Sequence, residues 1–233
     1  MNEHKIYRLL TALCGTAAFT THALAQTEEQ ASTLEEVVVT AQKREQNVQD
    51  VPIAIDALSR DTILSQRITG PDDLVKQLPN LSLKTASAVN SGFAIRGVGT
   101  NNFHLTAQQA VGLYFDEVSQ VTPFTSQLGL YDMERIEVLR GPQNTLFGRN
   151  TTGGAVNFIT RRPDPEDGTN GYINLNAGNF GKLDGEGAVG FALGDHFAIR
   201  AAAQLQNRDG VFTDVESGEK IGSTERQSAR LGL

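Results

Sequence analysis

The pattern of apolar and polar residues changes near residue 165 of the chain. Beyond that point the two kinds of residue alternate with a period of two, in segments of about ten residues separated by short turns. One parity is apolar in each segment: Ile173, Leu175 and Ala177, then Leu183, Val189, Phe191 and Leu193, then Phe197, Ile199, Ala201, Ala203 and Leu205. We predict three β-strands here, a polar loop over residues 207–224 and a fourth strand that begins at residue 225. Both a half-buried antiparallel sheet and a transmembrane β-barrel produce this alternation.

Residues 51–165 have a different pattern, in which short apolar runs are separated by turn residues. We predict strands over residues 51–57, 81–84, 93–98, 111–118, 136–139 and 155–160. Two helices are predicted between the first two strands: one over residues 59–68 with a serine cap, and one that opens at Pro71 and ends at Pro79. Short strands and helices in this mixed order indicate a compact α+β domain.

Residues 1–25 have the pattern of an export signal. Lys5 and Arg8 precede an apolar run over residues 9–19, and Ala23-Leu24-Ala25 provides a cleavage site after Ala25. Cys14 is the single cysteine of the chain, so the exported protein has no disulfide. The predicted organisation is a signal peptide at 1–25, a linker region at 26–50, an α+β domain at 51–165 and a set of strands at 166–233.

Composition and side-chain chemistry exclude several functions. The formal net charge of −7, without a clustered basic stretch, disfavours a nucleic-acid partner. The glycine-rich loop between Gly141 and Gly148 has six intervening residues and lacks the Lys-Ser/Thr that ends a phosphate-binding P-loop. His104 and His196 are isolated, so we predict no metal site, no cofactor and no catalytic residue, and we do not expect an enzyme.

A run of three valines stands in the linker region, at residues 37–39. Three β-branched residues in sequence favour an extended backbone, and the polar residues 42–50 that follow show no periodicity. Two interpretations remain open. The run is either the first strand of the α+β domain, or an exposed strand that the sheet of a partner protein recruits by edge pairing.

Several motifs together resemble one family. They are the ERIEVLRGP sequence at residues 134–142, the LFG and GG-VN-IT elements that follow it, the IRG sequence at 95–97 and the VGLYFDEV sequence at 111–118. This combination resembles the plug domain of TonB-dependent outer-membrane receptors. The resemblance implies an α+β plug with a small mixed sheet at residues 51–165, and makes residues 166–233 the first antiparallel strands of an incomplete transmembrane β-barrel.

The resemblance also assigns candidate sites. The TonB box, which the periplasmic C-terminal domain of TonB grips when its inner-membrane complex is energised, matches Glu36, Val37, Val38, Val39 and Thr40. Two arginines, Arg96 and Arg140, match positions that face glutamates of the barrel wall, although ion pairs with the nearer Asp132, Glu134 or Glu137 are an open alternative. Substrate is expected to contact two loops of the plug, and the candidate residues there are Asn101, Asn102, Phe103, His104 and Phe124.

The function implied by the resemblance is energy-coupled uptake of a scarce solute through the outer membrane of a Gram-negative bacterium. A ferric siderophore is the expected substrate class, while vitamin B12 and carbohydrates also fit the family. A plugged barrel of this kind needs about 22 strands, whereas three strands and part of a fourth are predicted here. We therefore expect a fragment that does not transport alone, and the alternative function is that of a soluble periplasmic plug-like binding module.

Overall fold

The computed structural model describes residues 38–40, 44, 46–85, 91–100, 108–120 and 129–233. All of them belong to one compact unit, residues 36–233. The predicted signal peptide at residues 1–25 lies outside the described residues and stays a prediction. No helix in the described ranges is both long enough and apolar enough to cross a membrane.

The first part of the chain alternates short strands with short helices, as the sequence predicted. Its strands are β1 (Val38–Val39), β2 (Gln46–Asn47), β3 (Ile55–Ser59), β4 (Leu81–Thr85), β5 (Ser91–Ile95), β6 (Val98–Gly99), β7 (Val111–Phe115), β8 (Val118–Gln120), β9 (Met133–Arg140) and β10 (Gly154–Thr160). Its helices are α1 (Arg60–Ser65), α2 (Pro71–Gln77) and α3 (Asn144–Phe147), with a short 3-10 turn at Val48–Asp50.

Several predicted elements differ from the observed ones. The strands predicted over residues 93–98 and 111–118 are each interrupted by a turn and form the hairpins β5-β6 and β7-β8, because the backbone at residues 96–97 and 116–117 is left-handed. Two boundaries are also displaced for local reasons. The strand predicted over residues 51–57 begins only at Ile55, because Pro52 has no N–H to donate to a neighbouring strand. The helix predicted over residues 59–68 ends at Ser65, since Arg67 has a left-handed backbone with φ of 53°. At its start the hydroxyl of Ser59 accepts a hydrogen bond from the Thr62 N–H at 3.4 Å, which is the predicted serine cap.

A five-stranded mixed sheet forms the centre of this domain, in the order β3-β9-β10-β7-β8. Strands β10 and β7 are parallel, and the other neighbours are antiparallel. Its core contains Phe93, Ile136 and Phe158, each almost completely buried. The predicted α+β domain with a small mixed sheet is confirmed.

The second part of the chain is an antiparallel sheet of four strands in the order β11-β12-β13-β16. The strands are β11 (Asn170–Gly178), β12 (Lys182–Ala192), β13 (Ala198–Arg208) and β16 (Thr224–Gly232), and a small hairpin of β14 (Phe212–Thr213) and β15 (Lys220–Ile221) occupies the predicted loop. The sheet is open, because its first and last strands do not pair with each other.

The predicted alternation gives this sheet one apolar face and one polar face. On the outer face Ile173 is 74% exposed and Leu175 is 71% exposed, whereas Arg200 and Gln204 on the inner face are almost completely buried. The inner face is buried because it packs against the α+β domain, through contacts described below. An apolar outer face over polar inner residues is the arrangement of a membrane-barrel wall.

Candidate functional site

Strand β9 carries the residues on which the candidate site is built. It lies between β3 and β10, and its side chains alternate between two apolar clusters. Ile136 and Val138 face the main core, whereas Leu139 belongs to a second cluster on the other side of the sheet. Glu137 has the parity of Leu139 and is completely buried. The sequence motif therefore places one carboxylate inside the apolar packing of the second cluster.

The described part of the candidate TonB box is packed on this second cluster. Strand β1 pairs with β2 in an antiparallel ladder that joins Val39 to Gln46. Val39 is completely buried in the second cluster, while Val38 is 41% exposed. The strand is thus docked on the domain, which differs from the exposed strand that one interpretation of the sequence favoured. An apolar Val side chain gains free energy by leaving water, so it occupies the cluster when no partner competes.

Three polar contacts fix Thr40 at the end of β1. The Thr40 N–H donates to Glu137 Oε1 at 2.7 Å, and Thr40 Oγ1 donates to the same oxygen at 3.3 Å. Arg135 Nε holds that oxygen with a hydrogen bond of 2.8 Å. Arg135 Nη2 also donates to Thr40 Oγ1 at 3.3 Å. Glu36 and Val37 lie outside the described residues, and TonB binding by residues 36–40 stays a prediction.

A second polar cluster joins the α+β domain to the four-stranded sheet, and we call it the anchor cluster: Asp132, Arg60, Arg200 and Arg230. Arg200 on β13 donates two hydrogen bonds to the Asp132 carboxylate, at 2.6 and 2.8 Å. Arg230 on β16 donates to Asp132 Oδ2 at 3.1 Å and to its backbone carbonyl at 3.0 Å. Arg60 Nη1 lies 3.6 Å from Asp132 Oδ1 and completes the cluster. Bidentate, charge-assisted hydrogen bonds of this kind are stronger than neutral ones and fix the relative orientation of the two groups.

Neighbouring groups orient the arginines of the anchor cluster. Arg200 Nη1 donates to Asn170 Oδ1 at 2.8 Å. The guanidinium of Arg60 lies 4.6 Å from the centre of the Tyr172 ring, and that of Arg230 lies 5.1 Å from the ring of Tyr131. Stacking on aromatic faces stabilises both cations in addition to their contacts with Asp132.

The charge of Asp132 makes this contact dependent on pH. Burial disfavours the carboxylate, but the hydrogen bonds and charge of Arg200, followed by the charges of Arg230 and Arg60, outweigh burial and lower the pKa of Asp132 below its ordinary value of 3.8. A carboxyl with a lowered pKa in the folded state contributes stability that is complete above its ordinary pKa, and that is lost as the pH falls toward the lower, folded-state value.

We therefore expect the free energy of unfolding of the α+β domain to fall as the pH is lowered below about 3.8. Urea titrations at pH 7, 5 and 3 would measure it. The variant Asp132→Asn cannot titrate at this position, and its free energy of unfolding is expected to fall less between pH 5 and pH 3. An equal fall in both proteins would show that other carboxyl groups cause the acid sensitivity.

The two arginines predicted to face the barrel wall are in different surroundings. Arg140 Nη2 lies 3.0 Å from Asp56 Oδ1 on the adjacent strand β3. This is a local ion pair, but its partner is none of the three acids that the sequence suggested. Arg96 is exposed at the turn between β5 and β6, with φ of 51°, and its N–H donates to the carbonyl of Asn80 at 2.8 Å. Pairing of Arg96 and Arg140 with wall glutamates stays a prediction.

The structure therefore reveals an anchor that sequence reasoning missed, with the charges reversed. The carboxylate of Asp132 lies on the α+β domain, and the arginines that reach it from the four-stranded sheet are Arg200 and Arg230. One signal was available, because Arg200, Arg226 and Arg230 occupy the polar parity of their strands. Such buried-face arginines need an acid opposite them. The candidate substrate residues Asn101, Asn102, Phe103, His104 and Phe124 lie outside the described residues.

Comparison with known proteins gives related sequences. The model of the TonB-dependent receptor plug domain matches residues 47–155. The pesticin receptor of Yersinia pestis is 34% identical over 173 residues, covering 72% of this chain and 24% of that protein. The iron-regulated outer membrane virulence protein of Vibrio cholerae is 28% identical over 227 residues, covering 91% of this chain and 33% of that protein. The chain thus spans about a quarter to a third of the length of these relatives.

Solved structures give the same fold. The ferric yersiniabactin uptake receptor of Yersinia pestis aligns with a TM-score of 0.67 at 24% identity, over 77% of this chain and 28% of that one. The ferric-catecholate import receptor of E. coli K12 aligns with a TM-score of 0.60 at 20% identity, over 79% of this chain and 24% of that one. The β9 motif, the plug-domain match and the shared fold agree, and the chain belongs to the TonB-dependent receptor family.

Proposed function

We propose that this protein is an outer-membrane receptor that takes up a scarce solute with energy supplied by TonB. The observation that carries the proposal is the docking of residues 38–40. A short strand is held on the plug by one buried valine and a few hydrogen bonds to Glu137 and Arg135. Such a strand has both properties that coupling requires: a backbone that a partner can pair with, and contacts weak enough to be exchanged.

The partner in this proposal is the periplasmic C-terminal domain of TonB, driven by its inner-membrane complex. The location is the outer membrane of a Gram-negative bacterium, reached after cleavage behind Ala25. The apolar outer face of the four-stranded sheet supports this location, because a band of exposed side chains such as Ile173 and Leu175 is stable against lipid and unfavourable in water.

The proposed substrate class is a ferric siderophore. The support comes from relatives, since the two aligned structures are named as receptors for ferric yersiniabactin uptake and for ferric-catecholate import. On the plug, the proposed contacts are Asn101, Asn102, Phe103, His104 and Phe124. An exchange of both loops, residues 99–106 and 119–126, for loops of another receptor should change substrate affinity in the full-length protein, and an unchanged affinity would contradict their role.

Uptake in this proposal requires strands that close into a complete β-barrel. The four-stranded sheet has two open edges, and unpaired backbone groups in lipid cost several kcal/mol each. We therefore propose that transport belongs to a protein with further wall strands. A soluble periplasmic module built on the plug alone is the alternative. A soluble protein that kept the four-stranded sheet would leave the apolar face of β11 and β13 in water.

The proposal is tested by binding of the isolated candidate TonB box. A peptide of residues 35–41, immobilised through its C-terminus, is expected to retain the purified C-terminal domain of TonB from the same organism. A peptide of the same composition in scrambled order is the control. Equal retention by both peptides, or by neither, would count heavily against energy coupling through this strand.

A further inference from the structure

The carboxylate of Glu137 is completely buried, yet among the described residues only one of its two oxygens has a hydrogen-bond partner. Oε1 accepts hydrogen bonds from the Thr40 N–H at 2.7 Å and from Arg135 Nε at 2.8 Å. Oε2 is buried with no hydrogen-bond partner among the described residues. A buried carboxylate is costly, and an unpaired oxygen adds to that cost. Its position facing residue 40 therefore calls for a functional explanation.

We propose that Glu137, supported by Arg135, is the positioning residue that holds the candidate TonB box on the plug and sets how often the box is released. This inference rests on the proposed function in one respect, which is that release makes the box available to TonB. The docking of the box is a property of the plug itself. Glu137 is 97 residues away from Thr40 in sequence, so the contact joins the candidate TonB box to the central sheet of the domain.

Docking and partner binding compete for the same groups. A partner strand added along residues 38–40 requires backbone N–H and C=O groups on one edge, and the N–H of Thr40 is already donated to Glu137. A partner that grips the segment from the side of the second cluster must also remove Val39 from a completely buried position. The docked state is therefore closed to the partner, and the strength of the Glu137 contact limits the open population.

Arg135 lowers the free-energy cost of releasing Thr40 from Glu137. When Thr40 leaves, Glu137 loses the hydrogen bonds from the Thr40 N–H and hydroxyl but keeps its ion pair with Arg135, which lies on the same strand. The charge is then still paired, and only the contacts of Thr40 and Val39 must be exchanged. Together with the unsatisfied Oε2, this makes the docked state stable enough to be populated and weak enough to be opened.

Cysteine labelling of the box measures docking without any partner. Residues 26–233 contain no cysteine, so Val39→Cys introduces the one thiol of this part of the chain, and the receptor without the substitution gives the background labelling. In the full-length receptor in outer-membrane vesicles, the rate of maleimide labelling reports how often residue 39 is released. We expect Glu137→Gln to raise this rate about tenfold, since it replaces a charge-assisted hydrogen bond to the Thr40 N–H with a weaker, neutral one.

Three matched variants separate docking from general loosening. Glu134→Gln makes the same substitution at an exposed position of β9 and should leave the rate unchanged. Thr40→Val removes the hydroxyl contacts and keeps the N–H, so it should raise the rate by about two to threefold. A cysteine at Ala155, which is completely buried in the same cluster, should stay unlabelled when combined with Glu137→Gln.

The outcomes decide the inference separately from the proposed function. An unchanged labelling rate of Val39→Cys in Glu137→Gln overturns the role of Glu137, and so does a parallel rise at positions 39 and 155, which would mean a loosened plug. If Glu137→Gln is too unstable to assay, the Thr40→Val result decides in the same way. Released residues that label faster but fail to bind the TonB domain would contradict energy coupling while leaving the docking role of Glu137 intact.

Discussion

Replacement of Val38 by proline is expected to abolish energy-coupled uptake by the full-length receptor, with a loss of at least about a hundredfold in initial rate. Proline has no N–H and a fixed φ, so a strand that contains it cannot complete a backbone ladder with a partner. Val38 is the informative position because it is 41% exposed, whereas Val39 is completely buried. Proline at residue 38 therefore disturbs backbone pairing with a partner strand more than it disturbs the packing of the plug. Uptake of the radiolabelled ferric siderophore by cells is the measurement.

The control for this variant is Val38→Thr, which keeps a β-branched side chain and the N–H and should retain uptake within about twofold. Substrate affinity at the cell surface should be unchanged in both variants, because coupling acts after binding. Loss of affinity together with uptake would indicate a misfolded plug. Normal uptake by the proline variant would exclude residues 36–40 as the coupling strand.

Local periodicity was sufficient to predict most of the fold. The four-stranded sheet follows from the strict alternation between residues such as Ala201 and Ala203 and their polar neighbours, because a period of two leaves only one way to form an apolar face. The start of α2 was also readable, since proline at the first position and two acids in the first turn are local signals. Boundaries were displaced at Ile55 and Ser65, and the strands predicted over residues 93–98 and 111–118 are each divided by a tight turn into a hairpin.

The contacts of the candidate site were not predictable in the same way, because they join residues far apart in sequence. Thr40 meets Glu137 across 97 positions, and Arg200 meets Asp132 across 68. Periodicity tells which face a side chain occupies but does not tell what lies opposite that face. Arg140 shows the consequence, since its partner Asp56 becomes a neighbour only through the pairing of β3 with β9.

Conversion of Asp132 to asparagine is expected to destabilise the plug in its wall by about 3–5 kcal/mol, because it leaves Arg200 buried without its counter-charge. Arg200 is 3% exposed and directs two hydrogen bonds at this carboxylate. Asparagine isolates the effect of charge, since Asp132 has a φ of 50° and asparagine is the uncharged residue that best tolerates a left-handed backbone. Urea titration of the full-length receptor at pH 7 would give the change in free energy of unfolding of the plug.

The double variant Asp132→Asn with Arg200→Gln tests whether the loss comes from this pair. Removing both charges takes away the uncompensated guanidinium, so the double variant should be more stable than Asp132→Asn alone. Asp195→Asn, at an exposed turn of the four-stranded sheet, is the control and should change the free energy by less than about 0.5 kcal/mol. If the losses of the two single variants simply add, Asp132 and Arg200 are not coupled, and the plug is held in place by other contacts.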